Sequence, residues 1–186
     1  IGAVNYIRLI EGLPVNSIDK LAFGNPIGVG KPPEILFTAI DEVDPIHTVG
    51  KLIDRGEIVA VFDERRELGP RALGYRSIIC DARNLKVISE LNTKIKKREE
   101  FRPLAPAALM KNAEKLFKID PKLTKNFDWM GAVCFADIDI DTVYRGALHI
   151  DNSARLQIIK DETSIFYKIA QQTNTKLLIN TSFNIA

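Results

Sequence analysis

The sequence has few of the residues from which disulfide frameworks and metal centres are built. Its 186 residues include two cysteines and two histidines. Cys80 and Cys134 lie in apolar segments and form no CxxC pair, so we expect two reduced thiols in the core. His47 and His149 are far apart, and neither belongs to an HxxxH or HExxH motif. The sequence therefore predicts no metal site.

Long apolar runs and a strong excess of one charge are also missing. No run approaches the roughly 20 apolar residues that a membrane span requires, and no signal peptide is visible. We therefore expect a cytoplasmic protein without a membrane partner. The net charge at pH 7 is only +2, whereas a dedicated nucleic-acid binder carries a large basic excess. Nucleic acid is for that reason not an expected partner.

What is present is enough apolar material for a core, since 46% of the residues are hydrophobic. Residues 2–11 are compatible with a helix, and residues 12–33 are rich in proline and glycine. We expect residues 1–33 to be the end of a preceding domain and a linker, and residues 34–186 to form one domain. Because the chain begins with Ile1 and stops directly after a motif, we interpret it as an excised piece of a longer protein, truncated at its C terminus.

Apolar periodicity predicts helices that alternate with strands. The expected helices are 44–52, with Asp44 as N-cap and Pro45 in the first position, 84–98, 111–118 and 162–173. The expected strands are 57–62, 77–80, 132–135 and 176–179, with a polar loop at 119–130. The two prolines in 102–109 favour an edge strand or an extended segment, and 149–159 is expected to be a strand pair or a bent strand. This alternation is typical of an α/β or α+β layered domain.

The segment Glu67–Ser77 concentrates anion-binding chemistry. Arg71 and Arg76 supply guanidinium groups, and Ser77 adds a hydroxyl. Pro70 and Gly74 predict a turn that would hold both arginines in fixed positions for bidentate phosphate binding. The alternative is an exposed arginine loop with weak surface salt bridges.

Residues 94–102 hold five of the 26 basic residues. Lys94 and Lys97 are expected to be solvated at the end of a helix, where cations also complement the helix dipole. Arg102 precedes a proline, so its backbone should be extended and its side chain should point away from the helix face. The residues of this segment to which we assign function are Lys96, Arg98 and Arg102.

The segment 149–157 alternates polar and apolar residues. As a strand it would place His149, Asp151, Ser153, Arg155 and Gln157 on one face, and Ile150, Ala154, Leu156 and Ile158 on the other. The polar face would be either solvated or the wall of an active site. His149 beside a carboxylate could move a proton, or it could be structural.

The segment Asn180–Asn184 follows an apolar strand. Ligands of open α/β sheets gather at the carboxyl ends of strands. The neutral donors of Asn180, Ser182 and Asn184 suit a carbamoyl, amide or phosphate group. Asn and Ser are also ordinary turn residues, so this motif alone is a weak signal.

Taken in order, these strings resemble the C-terminal domain of the NodU/CmcH-type O-carbamoyltransferases. The resemblance covers about residues 50–186 and is carried by ELGPRALGYRSI with CDAR, LN-IK-RE-FRPLAP, H-D-SARLQ and NTSFN. It implies a YrdC-like twisted mixed sheet flanked by helices. It also implies activation of carbamoyl phosphate with ATP to carbamoyl-adenylate, with release of pyrophosphate. In this family an N-terminal ASKHA-like domain in cis holds a metal and the site of transfer to a small-molecule hydroxyl.

The resemblance also implies the roles of particular residues. Catalysis is assigned to Arg71, Arg98, Arg102, Arg155 and His149. Binding of substrate and nucleotide is assigned to Arg76, Ser77, Lys96, Asn180, Ser182 and Asn184, of which Ser182 and Asn184 match the Ser-x-Asn of YrdC-like domains. Mg²⁺ is expected with ATP and would be held mainly by phosphates. Tyr75 and Asn152 depart from the residues usual in the family.

Two other functions stay open on the sequence. The basic 94–102 segment would suit a YrdC-like nucleotide- or RNA-binding module linked to tRNA threonylcarbamoylation. The altered Tyr75 and Asn152 would suit a remnant that has lost catalysis. A homodimer is also left open.

Overall fold

The computed structural model describes residues 44–63, 67–137 and 140–184. The expected helix at 2–11, the linker at 12–33 and the domain start at 34 lie outside these ranges. Within them, none of the helices has both the length and the apolarity that crossing a membrane would require.

The centre of the fold is a five-stranded mixed sheet in the order β1-β2-β8-β3-β7. These strands are β1 (Val59–Phe62), β2 (Arg76–Asp81), β3 (Ala105–Leu109), β7 (Gln157–Ile159) and β8 (Leu178–Ser182). Neighbouring strands are antiparallel, except that β3 and β7 are parallel. A smaller antiparallel sheet contains β4 (Phe117–Lys118), β5 (Cys134–Ala136) and β6 (Ser153–Ala154).

Helices cover both faces of the large sheet. They are α1 (Pro45–Asp54), α2 (Leu85–Glu90), α3 (Met110–Leu116), α4 (Thr124–Phe127), α5 (Asp141–Tyr144) and α6 (Ile165–Gln172). A π-helical turn, Leu91–Ile95, continues α2, and 3-10 turns occupy Pro121–Leu123 and Arg145–Ala147. The α1 helix begins as predicted, because Asp44 accepts a hydrogen bond from the His47 N–H at 3.1 Å and Pro45 follows.

Successive side chains of each strand point to opposite faces of the sheet, and an apolar layer is buried on each face. One face of the sheet packs against α1 and α6, where Phe166 and Ile169 are almost fully buried. The other face packs against α2 and the smaller sheet. Both thiols lie in this second layer, where burial raises the pKa of Cys80 and of Cys134 to about 12. The layered α/β (α+β) class predicted from the sequence is therefore the class of the fold.

The prediction of an edge strand at 102–109 is wrong. β3 lies inside the sheet, between β8 and β7. Pro106 is paired with Ile179 of β8, but the pairing with β7 begins only at Ala107. The proline, which has no N–H to donate, therefore lies where the ladder has one partner strand.

The prediction of a continuous polar face at 149–157 is also wrong. The N–H of Asn152 donates to the His149 carbonyl at 3.0 Å, and φ of Asn152 is 61°, so these residues form a turn. The strands that follow, β6 and β7, belong to different sheets. Ile150, expected on the apolar face, is 93% exposed.

Two helix ends also differ from the prediction. The helix expected at 84–98 ends with the π-helical turn, and Lys97 has a φ of 48°. This left-handed conformation is one that commonly stops a helix. The helix expected at 111–118 ends at Leu116, because Phe117 and Lys118 pair with β5. The expected loop at 119–130 contains short helical segments.

A candidate anion-binding site

The sequence motifs converge on one edge of the large sheet. β2, β3 and β7 begin at this edge and β8 ends there, because β8 runs antiparallel to both β2 and β3. Ser77 at the start of β2 is paired directly with Ser182 at the end of β8. Arg102 and Arg155 come shortly before β3 and β7. The mixed order of the strands therefore brings motifs that are distant in sequence to the same edge.

Lys96 is the buried centre of this edge and is only 4% exposed. Its Nζ donates to the carbonyl and Oγ of Ser182 at 2.9 and 3.2 Å. It also donates to the carbonyl and Oδ1 of Asn184 at 2.6 and 3.1 Å. These contacts join the 94–102 segment to the Asn180–Asn184 segment.

The four partners of Lys96 are all neutral oxygens. Burial, and then the nearby charge of Arg98, lower the pKa of Lys96. Among the residues that the structure describes, no carboxylate forms an ion pair with Lys96. Lys96 is thus a buried amine held only by neutral oxygens, and a buried titratable group with a shifted pKa marks a candidate functional site.

Arg98 and Arg102 are two further cations of the 94–102 segment. Arg98 is half-buried and donates from Nε to Oδ1 of Asn92 at 2.8 Å. Burial, and then the charge of Arg102, lower its pKa. Arg102 is exposed and pairs with Glu99 at 3.1 Å, so part of its charge is compensated. Lys94 and Lys97 are exposed, as predicted.

Arg71 and Arg155 form a second cationic pair. Arg155 is half-buried, and burial followed by the charge of Arg71 lowers its pKa. Its Nε is buried and has no hydrogen-bond partner in the described part of the chain. Arg71 is exposed, and no ion pair joins it or Arg155 to a carboxylate within the described ranges. An anion between them would satisfy the buried N–H and relieve the repulsion.

Buried amides fix the backbone of the loop that carries Arg71. Gln157 donates to the Leu73 carbonyl at 2.9 Å. Asn180 donates to the Ala72 carbonyl at 3.0 Å and to Oε1 of Gln157 at 2.7 Å. The predicted ligand-binding residue Asn180 therefore uses its Nδ2 to hold this loop, while its buried Oδ1 has no partner among the described residues.

Two further hydrogen bonds stabilise the same loop. The Glu67 carboxylate accepts the Leu73 N–H at 2.7 Å. Ser77, which is fully buried, accepts the Gly74 N–H at 2.9 Å. Gly74 has a φ of 108°, and a Cβ at this position would lie 2.3 Å from the Phe166 ring. Only glycine fits both the backbone conformation and the space.

Arg76 lies on the outer side of the same edge. Its Nη1 donates to the carbonyls of Asp63 and Tyr75. Its guanidinium carbon lies 3.7 Å from the centre of the Phe62 ring, and Phe62 contacts Phe183 edge to face at 5.8 Å. Arg76 is thus held in place by backbone oxygens and an aromatic ring.

His149 is bound within its own turn. Its Nδ1 lies 3.1 Å from Oγ of Ser153, and its backbone N–H donates to the Ser153 carbonyl at 2.8 Å. These contacts orient the His149 side chain within the turn that precedes β6.

The two departures from the family pattern lie at different places. Tyr75 is buried, and burial followed by the charge of Asp161 raises its pKa to about 12. Asn152 is in the turn before β6, where Oδ1 accepts a hydrogen bond from Arg145 at 2.7 Å. Both side chains are therefore engaged in contacts within the domain.

Sequence reasoning assigned no role to Glu67, Asn92 or Gln157. For Asn92 and Gln157 the signal is a single polar residue next to a buried apolar neighbour, Leu91 and Leu156 respectively. Most polar groups that are buried in this way form hydrogen bonds.

The described residues contain no group of three or more His, Cys, Asp or Glu side chains that could hold a metal ion. The donors at the sheet edge are N–H groups and cations, which suit phosphate oxygens.

The chain matches the family described as Carbamoyltransferase C-terminus over residues 50–186. The chain belongs to this family. Nodulation protein NolO of Bradyrhizobium diazoefficiens is 35% identical over 134 residues, which cover 69% of this chain and 24% of NolO. The 3'-hydroxymethylcephem-O-carbamoyltransferase of Streptomyces clavuligerus is 32% identical over 134 residues, which cover 69% of this chain and 24% of that enzyme. The carbamoyltransferase C-terminal domain seen here thus spans about a quarter of the length of these relatives.

Solved structures share the fold of this carbamoyltransferase domain. Full-length HypF in its phosphate- and nucleotide-bound form superimposes with a TM-score of 0.56 and 16% identity, covering 77% of this chain and 21% of HypF. At this identity the likeness shows the fold alone. The expected YrdC-like mixed sheet flanked by helices is confirmed.

Proposed function

We propose that this domain converts carbamoyl phosphate, ATP and water to carbamoyl-adenylate, phosphate and pyrophosphate, within an O-carbamoyltransferase. The observation that carries the proposal is a sheet edge with Lys96, Arg98, Arg71 and Arg155, none of which pairs with a carboxylate in the described residues. Both substrates are phosphate esters or anhydrides, and both leaving groups are anions. Uncompensated cations at fixed positions match that chemistry.

The catalytic contribution is electrostatic and positional. Arg71 and Arg155 would bind one phosphoryl group, since the free Nε of Arg155 offers a donor already removed from water. Arg98 would bind a second group near Ser182 and Asn184, and the charge of Lys96, whose Nζ donates to both of these residues, would stabilise it. Because hydrogen bonds hold Lys96 and Arg98 in place before the ligand arrives, little reorganisation of these two cations is needed as charge moves to the leaving pyrophosphate.

ATP would enter with Mg²⁺ bound to its phosphate oxygens. The donor set supports this, because the described residues at the sheet edge offer cations and N–H groups for phosphate and no cluster of acids for a metal. Mg²⁺ would neutralise part of the phosphate charge during adenylate formation.

The acceptor site belongs, in this proposal, to a part of the polypeptide outside these 186 residues. The relatives named above are about four times longer than the segment they share with this chain. We propose an ASKHA-like domain in cis, with its own metal, as the site where the carbamoyl group reaches the hydroxyl of a small molecule.

The proposal is tested by isotope exchange. The protein is incubated with ATP, Mg²⁺ and labelled pyrophosphate, with and without carbamoyl phosphate. Label should enter ATP only when carbamoyl phosphate is present, and Arg155→Met should abolish the exchange while circular dichroism stays unchanged. A folded protein that binds both substrates but exchanges no label would refute adenylate formation.

A further inference from the structure

Asn92 is a completely buried amide that organises the segment around Arg98. Its Nδ2 donates to the carbonyls of Glu100 and Arg102 at 3.1 and 2.9 Å. Its Oδ1 accepts from Nε of Arg98 at 2.8 Å, and its own carbonyl accepts the Arg98 N–H at 3.0 Å. One side chain therefore fixes both the guanidinium of Arg98 and the backbone that carries Arg102.

The π-helical turn places Asn92 beside the buried lysine. The Lys96 N–H donates to the Leu91 carbonyl at 2.8 Å, five residues back, so the turn is one residue wider than an α-helical turn. Asn92 and Lys96 thus belong to one widened turn, and Arg98 follows directly. Wide turns of this kind inside α-helices are frequent at functional sites.

A neutral amide has a particular consequence at this position. It satisfies Nε of Arg98 and leaves the charge of the guanidinium uncompensated. No hydrogen bond to Nη1 or Nη2 of Arg98 occurs among the described residues. A carboxylate in the same place would orient the group equally well but would cancel its charge toward a phosphate.

We propose that Asn92 is a positioning residue, which holds Arg98 with a neutral acceptor so that its remaining N–H groups and its full charge face the anionic substrate. This inference rests on the proposed function only for the identity of that anion. The positioning itself is a property of the ligand-free protein.

The experiment has a ligand-free arm and a binding arm. NMR of the arginine Nε–H signals in the unaltered chain, with Arg98 assigned by its loss in Arg98→Lys, measures exchange with water. The Nε–H of Arg98 should be protected relative to that of exposed Arg71. Pyrophosphate is then titrated into the unaltered chain, Asn92→Asp and Asn84→Asp. Asn84 is a matched control because it caps α2, where aspartate is an equally good cap.

The expected result is about tenfold weaker pyrophosphate binding in Asn92→Asp, the effect of cancelling one charged hydrogen bond, and a change of less than about twofold in Asn84→Asp. Equal binding by the two variants would overturn the inference. An Arg98 Nε–H that exchanges as fast as that of Arg71 would also overturn it, even if Asn92→Asp fails to fold. Protection of Arg98 in a chain that binds no pyrophosphate would support the positioning role and count against the proposed function.

Discussion

Replacing Lys96 by methionine removes the buried charge at the sheet edge and keeps a side chain of similar length. The unaltered Nζ donates to four neutral oxygens of Ser182 and Asn184 and is 4% exposed. Burial lowers the pKa of Lys96, which means that the folded protein disfavours the charged form relative to water. We therefore expect the substitution to weaken anion binding far more than it weakens the fold.

The magnitude follows from the charge that is lost, because the N–H groups of Nζ already donate to Ser182 and Asn184. Two unit charges about 6–10 Å apart interact by about 1.7–2.8 kcal/mol at an effective dielectric constant of about 20, and about 1.4 kcal/mol corresponds to a tenfold change in affinity. Carbamoyl phosphate and pyrophosphate should bind roughly tenfold to a hundredfold more weakly to Lys96→Met. Two effects on stability oppose each other, because the variant no longer buries a charge but leaves the Ser182 and Asn184 carbonyls without a donor. The free energy of unfolding should consequently change by less than the free energy of binding.

Lys97→Met provides the matched control. Lys97 is the next residue, is exposed, and loses the same charge on substitution. Its variant should bind both ligands within about twofold of the unaltered chain, since solvent screens an exposed charge. The assay is calorimetric titration at fixed ionic strength, with thermal unfolding of each variant in parallel. Equal losses in the two variants would show that net charge alone governs binding, and the reasoning about Lys96 would be refuted.

Three further predictions concern the loop and the pH dependence. Gly74→Ala should lower the melting temperature more than Gly69→Ala, because both residues have a positive φ but only a Cβ at position 74 meets Phe166; similar shifts in thermal unfolding would contradict this. Gln157→Leu should lower the free energy of unfolding in urea by about 1–3 kcal/mol, since it leaves the buried Leu73 carbonyl without its donor. An unchanged unfolding midpoint would show that this hydrogen bond does not stabilise the loop. Pyrophosphate affinity should fall as pH rises through the lowered pKa of Lys96, earlier than for an ordinary lysine. In the ligand-free chain, the unfolded state binds this proton more tightly, so the Lys96 contribution to stability should rise with pH over the same window, below the ordinary lysine pKa; a flat profile in both measurements would exclude titration of Lys96.

Local sequence signals predicted the elements whose ends are determined locally. The start of α1 was predictable because Asp44 and Pro45 supply the cap and the first turn themselves. The position of β3 was not predictable, since two prolines argue for an edge and only the pairing with β7 beyond Pro106 makes an interior position possible. The turn at 149–152 was missed because alternating residues fit a strand as well as a turn followed by a strand.

The site was predictable as a set of residues but not as an arrangement. Each motif carries its cations and donors in a short stretch, so the motifs and the family resemblance predicted Arg71, Arg155 and Lys96 as candidate residues. Their meeting at one sheet edge depends on β8 running antiparallel to β2 and β3, which is a non-local property. The hydrogen bonds of Asn92 join it to residues six to ten positions later in the chain, next to a π-helical turn. No periodic pattern in the sequence predicts such a turn.

The most direct test of the central claim is a crystal structure of the protein with carbamoyl phosphate. The account predicts a phosphate oxygen about 2.7–2.9 Å from Nε of Arg155, the buried donor that has no partner among the described residues, with Arg71 on the same anion. An anion bound away from these arginines, or a carboxylate of the protein occupying Nε of Arg155, would contradict it.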